Sequence, residues 1–198
     1  MEKEAEVVTS LFEHGLGLFH LRKLSMRTNE MKEYLEAIPA HFHERIVLHS
    51  HHTLSLQYNV GGIHLTRYHR RKKLVNWLQL RWIRLRRPAI HTSLTFHKLA
   101  DVYRNNEKAE YAFLGTIYDK ISGKFNSGYN RQSIEAAVKS SVIPLFARGG
   151  TSADNIALTH ELGFAGMAFY SAIWKNQDPV KGYCDIAEKC RALNIPLE

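Results

Sequence analysis

The sequence predicts an α/β protein in which short buried strands alternate with helices. Three observations carry this. Runs such as "RIVLH" (45–49), "YAFLG" (111–115) and "IPLFA" (143–147) are short and mostly apolar, the pattern of strands buried on both faces of a parallel sheet. Segments with apolar residues at helical spacing lie between them. Gly, Ser and Asn collect at the junctions. A chain of 198 residues suffices for one core, so 1–198 reads as a single domain.

The elements follow in order. Val7, Val8, Leu11 and Phe12 define a helix face over 4–14, and "GLFHLR" (17–22) is a strand candidate. Thr28 is read as the N-cap of a helix to Ile38, striped by Met31, Leu35 and Ile38 and stopped by Pro39. Strand 45–49, a short helix over 54–58 and strand 61–65 come next. A helix is expected over 72–80, then strand 88–92 and a helix over 95–103 capped by Thr95. Strand 111–115 precedes a Gly/Ser/Asn-rich loop (116–130) and a helix over 132–139. Strand 143–147, a helix to Leu162, strand 165–170 and a final helix over 179–193 complete the chain. Seven strands after an opening helix fit a (β/α)8 TIM barrel lacking its first strand. An open doubly wound sheet fits the same rhythm. An open edge in such a barrel invites pairing with a second chain, so a homodimer is a candidate assembly.

Composition narrows the classes. Hydrophobic residues make up 44% and charged residues 23%, as in ordinary globular proteins. No apolar run approaches the roughly 18 residues that cross a bilayer, so no membrane partner is expected. The start, "MEKEAEVVTSLF", is acidic and amphipathic, unlike a signal peptide. Cys184 and Cys190 match neither a zinc knuckle nor a disulfide framework, and a cytoplasmic location is expected. The net charge of +8 is uneven: residues 45–100 hold eleven Lys/Arg and no Asp/Glu. "RYHRRKK" (67–73) and "RWIRLRR" (81–87) form a basic stretch suited to an anion. A solvated basic face is the alternative. Trp77 and Trp82 are read as anchors buried under that helix rather than as base-stacking platforms.

Four stretches at strand ends carry candidate chemistry: "HLRK" (20–23), "HSHH" (49–52), "HLTRYH" (64–69) and "RGG" (148–150). Gly149-Gly150 stands between a strand and a helix, where glycines let backbone N–H groups close on a phosphate. "SAI" (171–173) begins another helix after the next strand. A plain tight turn explains the glycine pair equally well. Five histidines fall within 41–52, in the order His41, His43, His49, His51 and His52. His49, His51 and His69 make a conceivable soft-metal set. Neutral hydrogen-bonding imidazoles at a pocket mouth are the preferred reading, with no metal ligand assigned. Imidazolium beside pyrophosphate is a third option.

"GLGLFHLRK" (15–23), "GGIHL" (61–65), "YAFLGTIY" (111–118) and "LFARGGTSADNIALTHELGFAGMAFYSAI" (145–173) resemble the thiamine phosphate synthase/TenI family in order and spacing. The resemblance implies a (β/α)8 barrel. It also implies joining of hydroxymethylpyrimidine pyrophosphate to thiazole phosphate with Mg²⁺ assistance, or thiazole aromatisation in TenI-type relatives. Phosphorylated small molecules are thus the implied partners, and nucleic acid is not the expected one.

Carried over residue by residue, the family's Gln-Leu-Arg-Glu-Lys becomes His20-Leu21-Arg22-Lys23-Leu24. Its Asn-Asp becomes His49-Ser50, and a further Asp becomes His69. Both carboxylates expected to hold Mg²⁺ are therefore replaced. Ser122 and Lys124 are near equivalents of the pyrophosphate-binding pair, and Thr116 stands where TenI relatives carry a catalytic histidine. The resemblance assigns Arg22, His49, His69 and Lys124 to catalysis. It assigns His20, Ser122, Gly149, Gly150 and Ser171 to substrate binding. The expected function is thiamine phosphate synthesis. The alternatives are a TenI-like tautomerase or non-catalytic phosphate-binding regulator, and a basic barrel relic that binds RNA or another polyanion.

Overall fold

The computed structural model describes residues 2–66, 73–119, 123–126 and 128–197. Its strands are β1 (Phe19–Leu21), β2 (Ile46–Leu48), β3 (Gly62–Leu65), β4 (His91–Phe96), β5 (Tyr111–Leu114), β6 (Leu145–Arg148) and β7 (Gly166–Ala168). The strand order follows the chain order, as expected of repeated βα units. Two compact units divide within β4, one ending at Ser93 and the other running from Leu94 to Leu197.

The first unit contains α1 (Glu2–Glu13), β1, α2 (Thr28–Glu36), β2, β3, α3 (Lys73–Arg86) and the start of β4. β1 and β2 pair in parallel with His20 opposite Val47, and β2 and β3 pair with Leu48 opposite Ile63. β2 and β3 are buried along their whole length, matching their apolar sequence. Ala5, Val8, Leu11 and Phe12 of α1 and Met31, Tyr34 and Leu35 of α2 are buried. Ile83 of α3 packs with Ile63 and Ile90.

The second unit holds the rest of β4, α4 (Leu99–Tyr103), β5, α5 (Arg131–Ser140), β6, α6 (Ile156–Glu161), β7, α7 (Ser171–Trp174) and α8 (Pro179–Ala192). β5, β6 and β7 run parallel, with Leu114 opposite Ala147 and Arg148 opposite Ala168. Asp178 caps α8 by accepting from the Val180 and Lys181 amides at 3.0 Å, ahead of Pro179 in the first turn.

Several expectations need correction. Thr28 is the first helical residue of α2, not its cap; Glu30 returns to the Arg27 amide at 2.6 Å. Thr95 does not start a helix. It lies buried inside β4, which runs four residues beyond the expected Thr92 end. Asp101 accepts from the His97 and Lys98 amides, both at 3.1 Å, and so sets the start of α4 near Leu99. α3 extends to Arg86. Its tryptophans are not buried anchors: Trp77 is 53% and Trp82 46% exposed, with Arg81 and Arg86 lying over their rings. Ile83 is the residue that anchors this helix. β7 is only half-buried throughout. No described helix is long and apolar enough to cross a membrane.

Candidate functional site

The histidines near residue 50 separate into different roles. His43 is buried, and its Nε2–H donates to the Leu35 and Ile38 carbonyls, both at 2.9 Å. These carbonyls lie at and just past the end of α2, so His43 ties down the exit of that helix and serves the fold. His51 has φ +52°, its Nε2–H donates to Met26 O at 2.9 Å, and its Nδ1 meets Thr28 Oγ1 at 3.2 Å. Both ring nitrogens are thus committed to the loop after β1. Of the conceivable set His49, His51 and His69, His51 is held by Met26 and Thr28, and His69 lies outside the described residues.

A different triad forms instead. His20 and His49 are joined by an N–H···N hydrogen bond of 2.9 Å. The His49 and His64 rings stack with centroids 4.1 Å apart, and His20 stands edge-on to both. Ser93 Oγ holds His64 Nδ1 at 2.8 Å. One ring nitrogen from each of His20, His49 and His64 lies within 4.8 Å of the other two. His49 and His64 are buried. Strand register explains the convergence. Leu48 faces Ile63, so His49 and His64 follow as the next pair on the same face, and His20 shares that face through its pairing with Val47. Burial, and secondarily His64, push His20 down to about 3, so its imidazole is neutral at pH 7.

These donors do not fit Mg²⁺, which takes oxygen ligands. Ser50, where the family resemblance expects a carboxylate, offers only a hydroxyl, whose oxygen is buried with no hydrogen-bond partner among the described residues. Arg22 is exposed just past β1, and Lys23 pairs with Glu4 at 2.6 Å.

The second unit presents a site built from backbone. Gly149 and Gly150 have φ +88° and +69°, the region that favours glycine. A Cβ on Gly149 would meet Thr116 at 2.7 Å, and one on Gly150 would overlap the Tyr118 carbonyl oxygen. The turn is held by its carbonyls. Arg148 O accepts from Ile117 N at 3.0 Å, Gly149 O from Tyr118 N at 3.1 Å, and Gly150 O from Asn155 Nδ2 at 3.0 Å. In a planar trans peptide the next N–H points opposite to the carbonyl. The amides of Gly149, Gly150 and Thr151 are therefore turned away from these partners. Thr151 Oγ1–H donates to Ala168 O at 2.6 Å, tying the turn to the end of β7. Ser171 opens α7 just beyond that strand.

A cleft of about 490 Å³ lies at the ends of β4 and β5, lined by His97, Lys98, Gly115, Thr116, Asn126 and Tyr129. Thr116 both lines this cleft and touches Gly149. Lys124 is exposed in the following loop; Ser122 lies outside the described residues.

Strands in chain order, each followed by helical structure, define a βα-repeat protein. More particularly, the chain belongs to the thiamine monophosphate synthase (TMP-TENI) family, whose profile matches residues 1–173. Its structure is similar to thiamine phosphate pyrophosphorylase from Bacteroides thetaiotaomicron, with TM-score 0.75, 25% identity, and 96% of this chain and 91% of that one covered. It also resembles thiamine phosphate pyrophosphorylase from Pyrococcus furiosus (TM-score 0.74, 18% identity, 96% and 90% covered). A 3-hexulose-6-phosphate synthase shares the fold more distantly (TM-score 0.62, 13% identity, 95% and 94% covered). No curated protein matches the chain in sequence. Family membership and these likenesses support a role in thiamine biosynthesis.

Sequence reasoning singled out the strand ends that hold His20, His49, His64 and the glycine turn, but it grouped His49 with His51 and His69 and did not name Ser93. The histidine in "GGIHL" was a visible signal, since it falls one step past the paired apolar core of β3.

Proposed function

We propose that the chain acts in thiamine phosphate synthesis and holds a thiazole phosphate on the backbone amides of Gly149, Gly150 and Thr151, with Ser171 at the adjoining helix start. The supporting observation is the set of three carbonyls drawn to Ile117, Tyr118 and Asn155, which aims successive amides the other way. Such an array suits a phosphate dianion. In the same proposal Arg22, Ser122 and Lys124 meet the pyrophosphate, and His20, His49 and His69 supply polar contacts beside it. Pyrophosphate departure needs charge neutralisation, which a guanidinium can give bidentately. Residues 1–198 act as one (β/α)8-type domain; β4, which contributes to both compact units, supports that reading.

Incubating the protein with hydroxymethylpyrimidine pyrophosphate, thiazole phosphate and Mg²⁺ tests the reading. Thiamine phosphate above background is expected, and its absence would count against synthase activity. Calorimetry with thiazole phosphate alone tests the cradle. Binding without turnover would favour a TenI-like role, which the replaced carboxylates also favour. For tautomerisation itself, Thr116 offers no group that titrates near neutral pH.

A further inference from the structure

We infer that His20, His49 and His64 form a binding site for a borderline divalent transition metal of the zinc class, with one coordination position left open. This goes beyond the phosphate cradle and does not depend on it. The argument starts from the donors. Three imidazoles from three consecutive strands converge on one face, each with a ring nitrogen within 4.8 Å of the other two. A tetrahedral ion with bonds of about 2.0–2.1 Å needs ligand nitrogens roughly 3.3 Å apart. Side-chain rotation of about an ångström covers that difference. The His20–His49 hydrogen bond, at 2.9 Å, already holds two of the rings at such a spacing. Both can ligate once the donor of that bond carries its proton on its other ring nitrogen, so that each imidazole stays neutral.

The surroundings select the ion. No Asp or Glu occurs between residues 45 and 100, so two of the three ligands sit in an acid-free stretch. Hard Mg²⁺ and Ca²⁺ have no carboxylate there, while imidazole suits zinc and its neighbours. Ser93 Oγ sits on His64 Nδ1 at 2.8 Å. In the tautomer whose Nδ1–H donates to Ser93, Nε2 carries the lone pair that would serve as the ligand. Such an outer hydrogen bond orients metal-binding histidines generally. Three neutral ligands leave the ion its full double charge. The fourth position then suits water or an anionic oxygen such as that of a phosphate.

The test uses the full-length chain stripped with chelator. Titration calorimetry with Zn²⁺ is expected to show one ion per chain, and Co²⁺ is expected to give the visible absorption of a four-coordinate site. His20→Gln and His49→Asn install the residue types that the family resemblance expects at those positions. Each should weaken zinc by at least about tenfold, the lower limit for losing even an outer partner. His41→Asn, on an exposed histidine, should leave affinity unchanged. Absence of stoichiometric zinc, or affinity indifferent to His20→Gln and His49→Asn, would overturn the site. X-ray absorption on the zinc-loaded unsubstituted protein covers the case in which those variants do not fold. Three imidazole nitrogens at about 2.0 Å are expected there, and one or none would refute it.

Discussion

The histidine triad of the first unit and the glycine turn of the second are opposite constructions, one of side chains and one of backbone. The triad is made of side chains from β1, β2, β3 and β4, each contributing one ring or hydroxyl. The turn is made of backbone from four consecutive residues, aimed by what their carbonyls touch. A side-chain site can change its ligand by single substitutions while the strands stay as they are. A backbone site cannot, because its donors are the chain itself. By the resemblance, the glycine turn keeps the family's pattern, while His20, His49 and Ser50 stand where Gln, Asn and Asp are expected.

The contrast can be broken most forcefully at Gly150. Gly150→Ala puts a methyl into the Tyr118 carbonyl and forces an L-residue to φ +69°. The loss should exceed the ~1–2 kcal/mol of the left-handed conformation alone, and thermal denaturation should show either a large fall in Tm or no folded protein. By contrast, His49→Asn should leave the fold standing in circular dichroism while zinc affinity falls. Ser93→Ala sharpens the comparison further. It removes only the group that orients His64, so zinc should weaken by about tenfold with stoichiometry retained; unchanged affinity in calorimetry would mean that the hydroxyl positions nothing. Thr151→Val is the mildest. It deletes the bond to Ala168 O and should cost about 1 kcal/mol, a Tm drop of about 2–4 °C in a scanning calorimeter.

The elements were legible wherever period and punctuation agreed. β2, β3 and β5 fall inside their predicted runs because apolar strands buried on both faces leave little ambiguity. The β4 region misled because "HTSLTF" carries Thr and Ser at buried positions, where a sequence reading takes hydroxyls for helix caps. In the fold, Ser93 and Thr92 spend their hydroxyls on His64 and Arg84. Trp77 and Trp82 misled in the other direction, since size suggested burial while their own helix's arginines cover them.

By itself the sequence determined the βα rhythm and the acid-free stretch from 45 to 100, because each rests on neighbours in the chain. Tertiary structure decided which histidines meet. Register set His64 beside His49 and placed His20 on their face, while the loop after β1 drew His51 away. Register is a property of paired strands, fixed by which apolar side chains share a core, and no single strand carries it.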